Sequence, residues 1–249
     1  MRKPAPASVT DLGDGVFFVR ASAVNWLVLV DGDSLTLVDT GYPGDADALD
    51  GSLAEITRRT GAGHLEAVLV THAHSDHIGS LGRLHAGSGG RLDVFASAEE
   101  VPHVRREVLH QVSVKDLVRH AYDPRVLRWA LHATGPERGL DDVAFGPVKP
   151  LVTGSALDVP GRPVALLAPG HTPGHTVYHL PQHGLLVTGD ALVSGHATVR
   201  RTGPQTLPGF FNHDEERTRE TADRLALFDA DRFAPGHGPV AALPHRVLG

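Results

Sequence analysis

Residues 71–77 read Thr-His-Ala-His-Ser-Asp-His and close the apolar run Glu66-Ala-Val-Leu-Val-Thr71. That run reads as a buried strand, and the residues after it predict a helix over 76–84. In extended chain, residues two apart face the same way, so His72 and His74 reach one metal ion together. Asp76 and His77 lie past the bend and address a neighbouring position. Four nitrogen and oxygen donors packed this closely crowd a single ion, so the spacing predicts a pair of ions. Two-metal sites place their ions about 3.5–4 Å apart.

Each ion needs further ligands. His171 lies in Ala168-Pro-Gly-His-Thr-Pro-Gly-His175, Asp190 in Val187-Thr-Gly-Asp-Ala191, and His237 in Ala234-Pro-Gly-His-Gly-Pro239. Each stands at a loop position beside an apolar strand. A glycine next to each lets the backbone turn tightly toward a crowded centre. A carboxylate has two oxygens, so Asp190 is able to bridge both ions. Asp76 and Asp190 are also the candidate proton-relaying, catalytic carboxylates, with no choice between them from sequence.

Working outward, residues 16–20, 26–30 and 34–39 are apolar runs separated by Gly and Asp and read as a strand meander. Residues 44–60 read as a helix and 92–95 as a strand. Residues 98–145 lack β alternation and predict two or three helices. Strand character returns at 163–168, 176–180, 184–188 and 232–234, with a helix over 214–228. Two sheets covered by helices fit this order; layer rules also allow a three-layer α/β fold. The length of 249 residues is read as one domain, 1–249.

Composition narrows the chemistry. With no cysteine, disulfides, thiolate nucleophiles and Cys-bound zinc are excluded. The formal net charge of -6 gives no electrostatic footprint for nucleic acid or an anionic membrane. No apolar run is long enough to span a bilayer, and the N-terminal residues lack the apolar core of a signal peptide. The expectation is a cytoplasmic protein with a small-molecule partner; the sequence does not address its oligomeric state.

Taken together, Asp39, His72-x-His74-x-Asp76-His77, His171, Asp190 and His237 resemble, in order, the motifs of the metallo-β-lactamase superfamily. The resemblance runs over nearly the whole chain. It implies an α/β fold, a four-layer αββα sandwich, with the 98–145 helices as an insertion between the second and third motifs. It implies His72, His74 and His171 on one metal, Asp76, His77 and His237 on the other, and Asp190 between them. Asp39 then orients ligands rather than binding metal; read alone, it could simply cap a turn before Gly41. His175 reads as a buried, hydrogen-bonded loop residue near the ligands rather than a ligand.

The implied cofactor is two divalent ions, zinc first, with iron or manganese compatible with the same donors. The implied reaction is hydrolysis, by hydroxide held between the ions, of a small ester, lactone or thioester. True β-lactamases of this type generally lack the bridging Asp, which is present here. Glyoxalase-II-like thioesterases share the ligand set but usually add a C-terminal glutathione-binding helical domain, for which no counterpart is expected after His237. Many acyl-homoserine lactonases use a Tyr after the bridging Asp, whereas no Tyr follows Tyr178. A mononuclear-iron, persulfide-dioxygenase-like oxidoreductase is the alternative, and a non-catalytic metal-binding module a third. A lone histidine would read as a surface or core-satisfied residue; the ordered set favours ligands.

For substrate contacts, residues 98–145 are read as a candidate lid, with Arg105 and Arg106 as candidate contacts to an anionic group. Phe210 and Phe211 either line the pocket or sit in the core. Most other polar residues of 98–145 read as a solvated helical face.

Overall fold

Alternation of apolar side chains builds the first sheet. Strands β1 (Ser8–Asp11), β2 (Val16–Arg20), β3 (Asn25–Asp31) and β4 (Ser34–Val38) form an antiparallel meander. Helix α1 (Ala46–Thr60) then crosses over, and β5 (His64–Leu69), β6 (Asp93–Ala96) and β7 (Lys149–Pro150) add in parallel. The computed structural model describes residues 7–112, 114–133 and 143–244. Among these, a second sheet runs β12-β11-β10-β9-β8. Its strands are β8 (Val164–Leu167), β9 (Thr176–Leu180), β10 (Leu185–Gly189), β11 (Arg232–Pro235) and β12 (Ala241–Ala242). Helix α7 (Glu215–Leu225), capped by the Asp214 carboxylate, returns the chain so that β10 and β11 pair in parallel.

The period of two sorts the core into layers. From β2, Phe17 and Val19 turn to α1, where they join Trp26, Leu49 and Ile56. Val16 and Phe18 turn the other way and meet Tyr178, Leu185 and Val187 of the second sheet. On that sheet's outer face, Val177, Leu186 and Phe233 pack with Leu225 of α7. The result is the expected α/β/β/α stack. Polar links also join the two sheets: the buried Tyr178 hydroxyl donates to the Val70 carbonyl at 2.7 Å, and Asn25 Nδ2 donates to Pro235 O at 2.9 Å.

Two local readings change, and a third holds. The helix expected over 76–84 is two, α2 (Ser75–Ile78) and α3 (Leu81–Gly87). The break has a cause: Gly79 N donates to Gly41 O at 2.9 Å and Ser80 N to Thr40 Oγ1 at 3.1 Å, so these amides leave the helical ladder. A Cβ at Gly79 would lie 2.2 Å from Pro43 N, so only glycine fits there. Strand β1 was not expected, because its polar, exposed residues carry no burial pattern. The 98–145 stretch forms α4 (Val101–Val104), α5 (Val114–His120) and α6 (Pro124–Ala133), while 134–142 lies outside the described residues.

Candidate metal centre

All the proposed ligands gather at one edge of the two sheets: His72 and His74 on the loop after β5, Asp76 and His77 on α2, and His171, Asp190 and His237 on loops after β8, β10 and β11. Asp39 follows β4 in the left-handed region, with φ 63°, a conformation Asp tolerates better than most residues. Its carboxylate is almost wholly occupied. Oδ1 accepts from Thr71 N at 2.8 Å, and Oδ2 accepts from Thr71 Oγ1 at 2.7 Å and His77 Nδ1 at 2.8 Å. Asp39 therefore fastens the loop after β5 and orients His77 from behind.

The same logic holds around the centre. His72 Nδ1 sits 3.1 Å from Thr71 Oγ1, whose own proton goes to Asp39, so the ring nitrogen donates. His171 Nδ1 donates to Asn212 Oδ1 at 3.0 Å and His237 Nδ1 to Ala23 O at 2.6 Å. His74 is reversed: Nε2 donates to His110 O at 2.6 Å, which leaves Nδ1 facing inward. On every ring one nitrogen is held by an oxygen acceptor, which turns the other toward the centre.

Among the described residues three donor groups result, with ligand atoms within 4.8 Å of one another: His72, His74 and His171; His72, His77 and Asp190; Asp76, His77 and His237. Asp190 touches both halves. Its Oδ1 lies 3.6 Å from His77 Nε2, and its Oδ2 lies 3.6 Å from His171 Nε2 and 3.2 Å from His237 Nε2. Asp76 Oδ2 is 3.4 Å from His237 Nε2.

The donor set fits a pair of cations. His72 Nε2, His77 Nε2 and Asp190 Oδ1 are buried without a hydrogen-bond partner, an arrangement native interiors avoid unless another species satisfies the atoms. Burial and the neighbouring His77 and His74 hold His72 well below its ordinary pKa, and burial followed by His171 does the same to His74. Both rings are thus neutral, the form that ligates. Burial opposes charge on His77, but Asp39, Asp76 and Asp190 outweigh it and raise its pKa to about 9. Burial likewise opposes charge on His237, where contact with Asp190 and Asp76 prevails and raises its pKa well above the ordinary value. The carboxylate half draws in positive charge and the imidazole half offers neutral lone pairs, as a divalent site requires. Space is reserved too: a Cβ at Gly236 would fall 2.3 Å from Asp190 Oδ1 and 2.7 Å from His77 Cε1.

His175 stands where the sequence reading put it, behind the centre. Its Nε2 accepts the Asp190 amide at 3.1 Å, and its ring stacks on His72 with centroids 5.0 Å apart. Glu100 was missed. Its carboxylate is buried and accepts from Ala73 N at 2.8 Å and His103 Nδ1 at 2.8 Å on Oε1. On Oε2 it accepts from Thr172 Oγ1 at 2.8 Å and Gly174 N at 3.1 Å. Glu100 therefore ties the His72–His74 loop to the His171 loop. Nothing in Ser97-Ala-Glu-Glu100 separates this acid from a surface one.

Arg105 and Arg106, expected at the substrate, are engaged elsewhere. Arg105 Nε donates to Gly146 O at 3.2 Å. Arg106 Nη1 donates to Ala73 O at 2.7 Å and its Nη2 to Ser75 Oγ at 3.2 Å, bracing the ligand loop from outside. A cavity of about 270 Å³ opens over the centre, walled by Tyr42, Val112, Leu117, Trp129, Leu207 and Phe211 beside the ligands. Phe211 thus lines it. Phe210 does not; it stacks on His120 and lies tilted against Phe211. Leu117 of α5 and Trp129 of α6 bring the inserted helices to the wall of this cavity. His196 was also missed; its ring lies 4.8 Å from that of His237.

The family model of the metallo-beta-lactamase superfamily matches residues 19–237, and the chain belongs to this superfamily. Among curated relatives it is similar to the probable metallo-hydrolase YflN of Bacillus subtilis, 24% identical over 212 residues, covering 82% of this chain and 75% of that protein. The fold matches the metallo-beta-lactamase family protein TTHA1429 from Thermus thermophilus with TM-score 0.62 and 24% identity, covering 94% of this chain and 76% of that one. It also matches TTHA1623 in a di-iron-bound form, with TM-score 0.57 and 25% identity, covering 88% of this chain and 90% of that one. Among the described residues, no helix is long and apolar enough to cross a membrane.

Proposed function

We propose that this chain is a dinuclear metal-dependent hydrolase acting on a small ester, lactone or thioester. The observation that carries the reading is the shared carboxylate: Asp190 reaches His77 with one oxygen and His171 and His237 with the other. His72, His74 and His171 would hold one ion and Asp76, His77 and His237 the other. When bound, such ions lower the pKa of water toward neutrality and polarise the electrophile's oxygen. A relative named as a metallo-hydrolase and a structural neighbour in a di-iron form support metal-dependent hydrolysis and a two-metal site, with zinc, iron or manganese as the ion.

The residues divide the remaining work. Asp39 and Glu100 hold the ligand loops so that little reorganisation is needed on reaction. Leu117, Trp129, Leu207 and Phe211 form apolar walls that keep bulk water from the acyl group. Asp76 is the more accessible acid, its side chain 16% exposed against 3% for Asp190. Its carboxylate is therefore the better placed of the two to take the proton released by the attacking water and pass it to the leaving atom.

The test is elemental analysis of the purified protein followed by ester, lactone and thioester assays with each metal restored. Close to two ions per chain with metal-dependent turnover is the expected result. A single iron per chain with oxygen uptake on a persulfide would replace this reading with the oxidoreductase one. Full metal loading with no turnover on any substrate would favour a metal-binding module.

A further inference from the structure

Adjoining the metal centre is a larger cavity of about 660 Å³. Its charged walls are Arg20, Arg125 and Arg128, and among the described residues no Asp or Glu lines it. It shares Trp129, His196 and His237 with the cavity over the centre, so the two meet along those side chains. The arginines come from two separate elements. Arg20 ends β2, and the hairpin that follows carries Ala23, whose carbonyl takes the His237 Nδ1 proton at 2.6 Å. The segment bearing Arg20 is thereby anchored to a proposed ligand. Arg125 and Arg128 lie three apart on α6, on one helical face, next to Trp129.

Their charges are not neutralised in the same degree. Arg125 pairs with Asp123 at 2.6 Å. Among the described residues, Arg20 and Arg128 have no acidic partner within salt-bridge distance, and both are exposed to solvent. In a chain of net charge -6, arginines gathered round one concave surface without a lining acid focus a positive potential. The guanidinium fork matches carboxylate and phosphate oxygens. Across the shared wall, the acids Asp76 and Asp190 lie over the centre. The combined site is therefore polarised, with metal-ligating acids at one end and free cations at the other.

We infer that the substrate carries a second, anionic group, a carboxylate or a phosphate, which Arg20 and Arg128 hold while the scissile acyl group lies at Asp190 and His237. The inference rests on the hydrolase reading for its acyl end but not for its anion end. It places the recognition once expected of Arg105 and Arg106 on a different set of arginines.

Two measurements on the metal-loaded protein test it. The first compares p-nitrophenyl butyrate with mono-p-nitrophenyl glutarate, which adds a terminal carboxylate. The expected result is a kcat/KM preference of about tenfold or more for the glutarate ester, expressed in KM, and a fall of about tenfold in that preference in the R20A/R128A variant. The second needs no turnover: tryptophan fluorescence is titrated with glutarate and, separately, with inorganic phosphate, Trp129 lying in the shared wall. A saturable change that is lost in W129F and weakened about tenfold in R20A/R128A is expected; the tighter anion identifies the group. Saturable binding with neither ester cleaved would sink the ester branch of the hydrolase reading and leave the anion site standing. Equal cleavage of both esters with no saturable binding of either anion would overturn the anion site and leave the hydrolase. Preference or binding unchanged in R20A/R128A would also overturn it.

Discussion

Glu100 Oε1 accepts the Ala73 amide at 2.8 Å, so the residue between His72 and His74 is held by a buried acid that is not itself a proposed ligand. The other oxygen of the same carboxylate takes Thr172 Oγ1 and Gly174 N, on the loop that carries His171. Two loops distant in sequence thus share one anchor. Such outer groups fix ligand direction and are felt in metal affinity.

Glu100→Ala should therefore cost about 2–4 kcal/mol of stability, because it strands buried donors on both loops. Glu100→Gln keeps one acceptor oxygen and should cost less. Urea unfolding of the metal-free variants, with metal content after reloading, checks this. An unchanged midpoint in Glu100→Ala would show that the anchor is dispensable.

The same carboxylate predicts a pH effect. Burial raises the Glu100 pKa, but the hydrogen bond and charge of His103, with the Ala73 and Thr172 bonds, outweigh it and hold it below its ordinary 4.5. A depressed folded-state pKa gives stability that is fully present above the unfolded value and is lost as pH falls through the folded one. The stability difference between wild type and Glu100→Gln should then be constant above about pH 5 and shrink below 4.5. Denaturant midpoints of metal-free protein across this range provide the measurement. A difference that grows on acidification would contradict the assignment.

Asp39→Asn should weaken metal binding roughly 10–100-fold while leaving the fold intact. The asparagine NH2 accepts from neither Thr71 Oγ1 nor His77 Nδ1, so the His77 ring loses its fixed direction. Competition with a chelator measures the affinity directly. Wild-type affinity in this variant would limit Asp39 to turn formation.

Gly236→Ala puts a methyl 2.3 Å from Asp190 Oδ1. The neighbours are a proposed ligand and the His77 ring, neither a flexible surface tip. Metal content should fall below one ion per chain, with circular dichroism close to wild type. A variant that loads metal normally would show that the pocket floor can yield.

Much of this was legible in the sequence. The ligand loop could be read because Thr71–His77 packs its donors within a few residues, and the later ligands because Gly-His and Gly-Asp follow apolar strands. The interior strands were legible because burial on both faces gives unbroken apolar runs. Glu100, His196 and Arg20 were not, since their roles arise from contacts with residues far along the chain. Arg105 and Arg106 misled for the opposite reason. A charged side chain beside a predicted lid is chemically suited to a substrate, but the sequence does not show that backbone carbonyls have already claimed it.

The Tyr178 hydroxyl spans the gap between the sheets to reach Val70 O, two residues before His72. The loop with His72, His74 and His77 leaves one sheet, whereas His171, Asp190 and His237 leave the other. The spacing between the two halves of the proposed ligand set is consequently a mechanical dimension of the whole sandwich, gauged by how the two slabs are indexed against each other. A slip of about 1 Å would unseat a chelate that no single loop could restore, and misplacements of that size cost enzymes about a hundredfold in rate. Tyr178 works as the dowel that keeps the slabs in alignment, so a change deep in the interior detunes the chemistry at the rim without touching it.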